Sequence, residues 1–400
     1  MNPTTAAARP ARQPNVSAWR WGVWAATIAT VIPLSVVMAR SLGDDRPVLS
    51  LAVLGLFVVL TTWIALWFWI ATTGFVLAWR RCRATASGAG AKPRARLLSP
   101  TAILIPVYNE DPREVFARVR AMLKSLERTG RAGSFDFFLL SDTTNPDIWL
   151  EEQWHWLELQ RELKRPTAVY YRRRSRNAHR KAGNIKDFCE RWGALYPLMV
   201  VLDADSLMDG ATLVELVRRM DEDPQLGLLQ TPTLPLGDRS LLSRCQQFAA
   251  RLCGGLLACG LDWYSGDGGN YWGHNAILRT EAFTRHCGLS DLPGRAPLGG
   301  EILSHDFVEA ALMQRAGYKV RLACDLTASY EQCPGTLPSY AQRENRWCQG
   351  NLQHARLIVS RAMPLSNRFH FLTGVLAYVS APLWLAFMAL SVWTWLAAES

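Results

Sequence analysis

The sequence predicts an α/β fold with a mostly parallel sheet, inserted between apolar helices that are long enough to cross a membrane. Short apolar runs that suit buried strands alternate with helical patterns between residues 101 and 202, an order typical of a doubly wound parallel sheet. Three stretches without a charged residue, 21–39, 48–79 and 371–398, flank this region. About 20 apolar residues are enough to span a bilayer.

The apolar stretches predict two transmembrane helices within 21–79 and a third at 371–398. A cleaved signal peptide is the alternative for the first stretch, because Val37-Met38-Ala39 resembles a small-residue cleavage site. The length of the stretch and the second span close behind it favour a retained anchor. Because three spans are few for a conducting pore, we expect the chain to be C-terminally incomplete and to continue beyond residue 400.

Basic residues predict the orientation of these helices. Three arginines precede the first span, and six Lys or Arg residues without an acidic one lie within 80–96. The positive-inside rule therefore places the N-terminus and everything after Trp79 in the cytoplasm. The net charge of +10 then indicates attraction to a membrane surface rather than binding of nucleic acid. The nine cysteines include no CxxC pair and are expected to be reduced thiols.

The predicted organisation has six parts. They are a cytoplasmic N-terminal segment at 1–20, two transmembrane helices at 21–79, a basic linker at 80–100, a cytoplasmic α/β domain at 101–350, an interfacial helix at 351–370 and the third transmembrane helix at 371–398. The interfacial helix is predicted because apolar residues are interleaved there with arginines.

Within the α/β domain, strands and helices alternate. We predict strands at 101–106, 135–140, 168–171 and 198–202, and helices at 112–129, 149–163 and 182–192. Such sheets bind ligands at the carboxyl ends of their strands. Asn109, Asp142, Asp203 and Asp205 all fall just beyond strand ends, so we expect them to converge on one crevice.

The motif LDADS at 202–206 is the most informative short segment. Side chains two apart in a strand share a face, so Asp203 and Asp205 point to the same side. Two such carboxylates repel each other unless a cation lies between them. Mg²⁺ or Mn²⁺, shared with substrate phosphates, is the expected occupant. An ordinary acidic strand-to-loop edge is the alternative, since motifs this short often match by chance.

Six motifs occur in order along the chain: IPVYNE (105–110), SDTTNP (141–146), AHRKAGNIK (178–186), LDADS (202–206), SHDF (304–307) and RENRWCQGN (343–351). Together with the Gly-rich segment 266–279 and the apolar segment 371–384, they resemble the processive, membrane-embedded family 2 glycosyltransferases with a GT-A nucleotide-sugar-binding fold. This is the superfamily of cellulose and hyaluronan synthases. The branch that makes osmoregulated periplasmic glucans is the more similar one.

The resemblance implies an inverting, processive glucosyltransferase that transfers glucose from UDP-glucose to a growing β-glucan with β-1,2 linkage and helps to export it. It implies a divalent cation, Mg²⁺ or Mn²⁺, and a multi-pass location in the bacterial inner membrane with the catalytic domain in the cytoplasm. Besides UDP-glucose, the implied partners are the growing glucan acceptor, the lipid bilayer and a periplasmic glucan-processing protein.

Three alternatives remain open. The first is a cellulose-like β-1,4-glucan synthase, which linkage analysis of the product would distinguish. The second is a non-catalytic membrane scaffold or transporter that retains a degenerate GT-A domain. The third is a monotopic lipid-phosphate sugar transferase.

The resemblance assigns Asp306 as the general base that takes the proton of the acceptor hydroxyl; a helix N-cap is the alternative role. This chain has Ser-His-Asp at 304–306, where the family often has Thr-Glu-Asp. Arg346 and Trp347 match the last two letters of the family's QxxRW motif, whereas Arg343 replaces its glutamine. An arginine can pair with the pyrophosphate, and a tryptophan face can stack on a sugar.

The remaining predicted site residues follow from the same motifs. They are Asn109, Asp142, Lys181, Asn184 and Asp203 for the nucleotide sugar, Asp203 and Asp205 for the metal, and Gly269, Trp272, His274, Asn275 and Trp347 for the acceptor. The basic run at 172–176 is interpreted as a solvated or lipid-facing patch.

Overall fold

The structure, a computed structural model, describes residues 18–42, 47–85, 98–163, 167–237, 239–360 and 362–398. The helices are α1 (Ala18–Ser41), α2 (Pro47–Thr85), α3 (Pro112–Thr129), α4 (Pro146–Glu162), α5 (Arg180–Trp192), α6 (Gly210–Glu222), α7 (Leu241–Ala249), α8 (Gly255–Ser265), α9 (Thr280–His286), α10 (His305–Arg315), α11 (Leu337–Gln353), α12 (Ala355–Ile358) and α13 (Leu365–Ala398). A π-helical turn, Ala250–Gly254, joins α7 to α8.

The strands are β1 (Thr101–Val107), β2 (Phe135–Ser141), β3 (Val169–Arg173), β4 (Leu198–Val201), β5 (Leu207–Met208), β6 (Leu226–Gln230), β7 (Leu234–Leu236), β8 (Ala276–Arg279), β9 (Lys319–Leu322) and β10 (Ser329–Gln332). A seven-stranded sheet has the order β3-β2-β1-β4-β8-β6-β9, and β5, β10 and β7 form a smaller sheet. Only β8 runs antiparallel to its neighbours in the larger sheet, so the predicted mostly parallel α/β sheet is confirmed.

Local signals explain where the elements begin. Asp111 caps α3 by accepting a hydrogen bond from the Arg113 amide, Pro112 takes the first position, and the helix ends at Gly130 with φ 67°. This is the expected asymmetry of proline at the start and glycine after the end.

Apolar side chains cover both faces of the larger sheet. Along β1, Ile103 and Ile105 contribute to one buried cluster, which includes residues of α3 and α6. Ala102 and Leu104 contribute to the other, which includes residues of α5, α9 and α10. This alternation follows the two-residue period of a strand. The helices therefore cover the sheet faces and leave the carboxyl edge for the site.

Three helices in the described part of the chain are long and apolar enough to cross a membrane: Arg20–Ser41, Pro47–Arg80 and Leu365–Leu396. The second is fastened to the α/β domain through α8. A Cβ on Gly74 would lie 1.9 Å from the Leu256 carbonyl oxygen, and one on Gly260 would lie 2.1 Å from the Ile70 carbonyl oxygen. Glycine at both positions therefore lets the two helix backbones approach closely.

The segment predicted as one interfacial helix, 351–370, is divided in the structure. It contains the end of α11, the short helix α12 and the start of α13. His354 is buried and its Nε2 lies 2.9 Å from the Ser304 carbonyl oxygen, which turns the chain inward. Pro364 precedes α13 and lacks an amide donor. The predicted N-terminal segment up to residue 17 and most of the basic linker lie outside the described residues, and the domain boundaries stay predictions.

Candidate active site

The carboxyl ends of four neighbouring strands bring the predicted loops to one edge of the sheet. The pairs β1–β4, β1–β2 and β2–β3 are all parallel. Glu110 follows β1, and burial raises the pKa of its carboxyl group, with added contributions from the charges of Glu152 and Asp203. Because the charges of Glu152 and Asp203 both affect Glu110, the carboxyl groups that follow β1, β2 and β4 lie close enough to interact electrostatically.

Asp203 and Asp205 lie in the loop after β4, and Ser206 fixes the shape of that loop. The Ser206 hydroxyl accepts a hydrogen bond from the Asp203 amide (3.0 Å) and donates one to Asn275 Oδ1 (2.6 Å). Asn275 is fully buried and donates to the Ser329 hydroxyl at 2.7 Å. In the structure, the side-chain amide of Asn275, a residue predicted to bind the acceptor, ties the acidic loop to β10.

The two aspartates have opposite electrostatic environments. The pKa of Asp205 is raised to about 6, first by burial and then by the charges of Asp203 and Glu331. Burial also opposes ionisation of Asp203, but Lys181 and His274 outweigh it and lower the pKa of that carboxyl group. Asp203 is therefore ionised at neutral pH, whereas the charge on Asp205 is only partly compensated.

Asp203 and Asp205 are the residues that could hold a divalent cation. No group of three or more His, Cys, Asp or Glu side chains is arranged to bind a metal within the described ranges of the chain. Two carboxylates suit Mg²⁺ or a similar ion that takes its other ligands from water and substrate phosphates. Burial and then repulsion by neighbouring carboxylates raise the pKa of Asp205, and a bound cation would relieve that repulsion.

Lys181 joins the acidic loop to the segment before β8. Its ammonium group pairs with Asp203 and donates to the Gly273 carbonyl oxygen at 2.7 Å. Gly273 has φ 86°, and a Cβ there would lie 3.3 Å from Asp306 Oδ2. The structure thus brings Asp203, Lys181 and Asp306 together around one glycine.

Asp306 lies in the first turn of α10, where Ser304 occupies the N-cap position. The alternative role of Asp306 as an N-cap is therefore not observed. Burial raises the pKa of Asp306, and the neighbouring His305 acts in the opposite direction. His305 Nδ1 lies 2.9 Å from Glu309 Oε1, and although burial alone would lower the pKa of His305, this carboxylate raises it. Positive charge on the His305 imidazole favours the ionised form of Asp306 that a base requires, and so opposes the effect of burial.

Asp142 is buried in a bidentate ion pair with Arg174. The two hydrogen bonds measure 2.7 and 2.6 Å, and the Asp142 side chain is 7% exposed. A direct contact between Asp142 and a nucleotide would require this pair to open. The interpretation of 172–176 as a solvated or lipid-facing patch is wrong for Arg172 and Arg174, whose side chains are 12% and 11% exposed.

Two asparagines predicted to bind the nucleotide are used inside the fold. Asn184 is 1% exposed, accepts a hydrogen bond from Arg172 (2.7 Å) and donates one to the Leu140 carbonyl oxygen (2.8 Å). Asn109 has φ 61°, and its Oδ1 accepts two backbone amide bonds of 3.1 Å from the loop after β2. The amide groups of both side chains are thus engaged within the fold, next to the ends of β1 and β2.

Of the predicted acceptor residues before β8, Gly269 packs inside the fold, whereas Trp272 and His274 lie at the open surface or at the acidic loop. The Gly269 amide donates to the Val320 carbonyl oxygen (2.8 Å), and a Cβ on this glycine would lie 2.6 Å from that oxygen, so Gly269 packs against β9. Trp272 is 37% exposed and offers an open aromatic surface. His274 Nε2 lies 3.3 Å from a Glu331 carboxylate oxygen, which places the imidazole at the acidic loop.

Helix α11 carries the RW motif beside the start of α10. A Cβ on Gly350 would lie 2.2 Å from the Ser304 hydroxyl oxygen, so the two elements are in contact. Trp347 is 45% exposed, and the Arg343 guanidinium lies 4.5 Å from the centre of its ring. Arg346 is exposed and makes no hydrogen bond or ion pair with any described residue. The structure therefore places α11 next to the helix of Asp306 without a contact between Arg346 and the acidic loop.

Four charged residues at this edge were missed from the sequence: Glu110, Glu152, Arg174 and Glu331. Glu110 ends the IPVYNE motif and could have been included. Arg174 lies in the basic run 172–176. Its burial depends on the pairing of β3 with β2, which the sequence of the run does not reveal. Glu331 offers no sequence signal, because it reaches the site through the pairing of β10 with β5.

The mostly parallel sheet with acidic residues at its carboxyl edge resembles a GT-A-like glycosyltransferase domain, and a family match and a solved structure of similar fold support that assignment. The family model described as "Glycosyl transferase family group 2" matches residues 198–398, half of the chain. The chain therefore belongs to glycosyltransferase family group 2, and it is an enzyme of the glycosyltransferase class.

Two curated relatives illustrate the similarity. The chain is 48% identical over 351 residues to "Glucans biosynthesis glucosyltransferase H" of Shewanella baltica (strain OS155). The matched region covers 86% of this chain and 47% of the relative. The chain is 47% identical over 345 residues to the protein of the same name from Shewanella oneidensis, with the same coverage. The chain spans about half the length of these relatives.

Among solved structures, a mannosyltransferase from Pyrobaculum calidifontis, in complex with GDP-Man and Mn²⁺, is similar with a TM-score of 0.55. The match covers 86% of this chain and 87% of that one at 16% sequence identity. At this identity the similarity supports the shared fold alone.

Proposed function

We propose that this protein is a membrane-bound, inverting and processive glucosyltransferase that extends a β-glucan from UDP-glucose. The observation that carries the proposal is the cluster in which Lys181 bridges Asp203 and Gly273, with Asp306 directly against that glycine. It combines groups suited to a diphosphate with a carboxylate suited to act as a base. The names of the curated relatives support glucose as the transferred sugar and a glucan as the product.

In the proposed reaction, Asp306 takes the proton from an acceptor hydroxyl as that oxygen attacks the anomeric carbon. The new C–O bond forms on the face opposite the departing diphosphate, and the bond to UDP breaks with its electron pair on the phosphate oxygen. One displacement converts an α-linked donor into a β-glycosidic product. His305 acts against the burial that raises the pKa of Asp306, and the ammonium group of Lys181 adds positive charge near the phosphates.

We propose Mg²⁺ or Mn²⁺ as the cofactor, held by Asp203 and Asp205. When bound, the ion would neutralise charge on the leaving diphosphate. The Mn²⁺ in the mannosyltransferase of similar fold and the raised pKa of Asp205 support this assignment.

Two exposed residues of α11 are assigned to the substrates. Arg346 would pair with the diphosphate, since a guanidinium suits two phosphate oxygens. Trp347 would stack on the sugar at the acceptor end, together with Trp272. The contact of Gly350 with Ser304 supports these assignments, because it brings α11 against the start of the helix that carries Asp306.

The three apolar helices support a location in the bacterial inner membrane. A hydrophilic glucan cannot cross lipid unaided, so a synthase embedded in the membrane would pass the growing chain outward. We propose that the product is the backbone of osmoregulated periplasmic glucans, β-1,2-linked, and that a periplasmic glucan-processing protein receives it.

The test is incorporation of radiolabelled glucose from UDP-glucose by membranes that contain the protein, with and without Mg²⁺ or Mn²⁺. We expect Asp306→Asn to reduce incorporation by about 10²–10⁴-fold, the usual contribution of a general base. Asp291→Asn, at an exposed loop residue, is the matched control and should retain activity. Full activity of Asp306→Asn would exclude the proposed base.

Linkage analysis of the same product separates the alternatives. A β-1,2 product supports the proposal, and a β-1,4 product would identify a cellulose-like synthase instead. Binding of UDP-glucose without any turnover would favour the non-catalytic scaffold, and transfer to a lipid phosphate would favour the lipid-linked sugar transferase.

A further inference from the structure

Glu152, in α4, is a buried carboxylate that accepts three hydroxyl hydrogen bonds. The Ser141 and Tyr171 hydroxyls donate to Oε2 at 2.7 and 2.8 Å, and the Thr143 hydroxyl donates to Oε1 at 2.6 Å. The residue is 3% exposed. As far as the structure describes the chain, Glu152 has no ion pair with a basic side chain, so these hydroxyls are its partners.

The same hydroxyl oxygens fix the backbone of two loops. The Ser141 oxygen accepts a hydrogen bond from the Thr143 amide (3.2 Å), and the Thr143 oxygen accepts one from the Asn109 amide (3.0 Å). Ser141 ends β2, Tyr171 lies in β3 and Asn109 follows β1. Glu152 therefore ties together the ends of three neighbouring strands.

The protonation state of the partners gives this network a fixed direction. A carboxylate oxygen only accepts hydrogen bonds, so the three hydroxyl protons point at Glu152, and the oxygens of Ser141 and Thr143 are left to accept from backbone amides. Burial is the main cause that raises the pKa of Tyr171, which keeps this phenol a donor. A glutamine at this position would place its NH₂ group, a hydrogen-bond donor, against at least one of the hydroxyl groups that now donate to Glu152.

We propose that Glu152 is a positioning residue for the nucleotide-sugar donor, acting through the loop 141–143; this inference rests on the proposed function. The loop carries Asp142 and, through its ion pair, Arg174. Correct placement of this pair and of the Asn109 loop depends on the orientation of the hydroxyls around Glu152. The residue itself touches no reacting atom and is expected to affect donor binding rather than the chemical step.

The first experiment compares Glu152→Gln with Asp136→Asn in the full-length protein. Asp136 lies at the amino end of the same strand β2, and its carboxylate also accepts a tyrosine hydroxyl, that of Tyr196, at 2.7 Å. We expect Glu152→Gln to raise KM for UDP-glucose about tenfold while kcat stays within about twofold, the effect of losing a charge-assisted hydrogen bond in donor binding. Asp136→Asn should leave KM unchanged, even if its thermal midpoint falls.

The second experiment tests the route through Thr143. Thr143→Val removes the hydroxyl and should raise the donor KM by a similar factor, whereas Thr143→Ser keeps the hydroxyl and should restore the wild-type KM. Because both residues act through one hydrogen bond, the double variant Glu152→Gln/Thr143→Val should raise KM little more than either single variant.

The outcomes separate this inference from the proposed function. Wild-type protein that neither binds nor turns over UDP-glucose would overturn the proposed function. If the wild type is active and Glu152→Gln has an unchanged donor KM, or loses only kcat, Glu152 does not position the donor and the proposed function stands. An equal rise of KM in Asp136→Asn would reduce the role of Glu152 to general stability.

Discussion

At the scale of single residues, the acidic loop combines two carboxylates with opposite effects on folding. The pKa of Asp205 is raised in the folded state, so ionisation of this carboxyl group lowers the stability of the fold. The loss of stability is absent below the pKa of Asp205 in the unfolded chain and complete above about pH 6. The pKa of Asp203 is lowered, so its ionised form stabilises the fold above the unfolded pKa, and that stabilisation is lost in acid.

We predict opposite stability changes for the two asparagine variants in the absence of divalent ions. A shift of Asp205 from 3.8 to about 6 corresponds to about 3 kcal/mol, which its partial exposure reduces to about 1–2 kcal/mol. Asp205→Asn should therefore unfold at a higher temperature than the wild type at pH 7 and at the same temperature below about pH 4. Thermal unfolding in detergent at several pH values measures this.

The comparison variant for that measurement is Asp203→Asn, which leaves Lys181 without its carboxylate. It should unfold at a lower temperature than the wild type at pH 7, and the difference should shrink in acid. Equal shifts of the same sign for both variants would contradict the opposite environments of the two carboxylates.

At the scale of elements, the contact between α2 and α8 connects the apolar helices to the α/β domain. The contact depends on glycine, since a Cβ at Gly74 would meet backbone atoms of α8 rather than a movable side chain. Gly55 lies in the same helix, and a Cβ there would meet no atom within 4 Å. The two glycines therefore form a matched pair.

We predict that Gly74→Ala destabilises the protein by about 1–3 kcal/mol, the usual cost of overpacking. Gly55→Ala should be neutral or stabilising, because alanine favours a helix over glycine. Thermal midpoints in the same detergent, together with transferase activity, measure the difference. Identical midpoints for the two variants would show that α2 and α8 do not pack as closely as described.

At the scale of the whole molecule, the orientation of the apolar helices would decide on which side of the membrane the α/β domain and its proposed active site lie. By the positive-inside rule, the basic residues after the second apolar stretch predict that the α/β domain lies on the cytoplasmic side, where nucleotide sugars are available. The larger sheet and the site at its carboxyl edge belong to that domain, and so does Cys245, an exposed thiol at α7.

We predict that a membrane-impermeant maleimide labels Cys245 in inverted membrane vesicles and not in intact spheroplasts. A variant with Cys245→Ser and Cys253→Ser, which removes the two cysteines that are exposed among those whose burial the structure describes, is the control for specific labelling. Equal labelling in spheroplasts would place the domain on the opposite side and would exclude a cytoplasmic donor site.

Local patterns in the sequence were sufficient for much of the fold. The apolar runs predicted β1, β2 and the long helices because burial imposes periodicity and length on adjacent residues. LDADS identified the acidic loop because it directly follows a buried strand, although both aspartates lie beyond the end of β4 rather than on one face of the strand. The direction of β8 was not predicted, because antiparallel insertion between β4 and β6 depends on how distant segments pack.

The sequence by itself therefore determined the apolar helices, the alternating α/β order and the identity of the acidic groups. Tertiary structure alone decided what each polar group does: Asn184 and Asn275 bond within the fold, Arg174 pairs with Asp142, and Glu331 joins the acidic loop. The physical reason is that a hydrogen bond or ion pair needs its two partners within about 3–4 Å. Strand order in the sheet sets that distance, and no single segment encodes it.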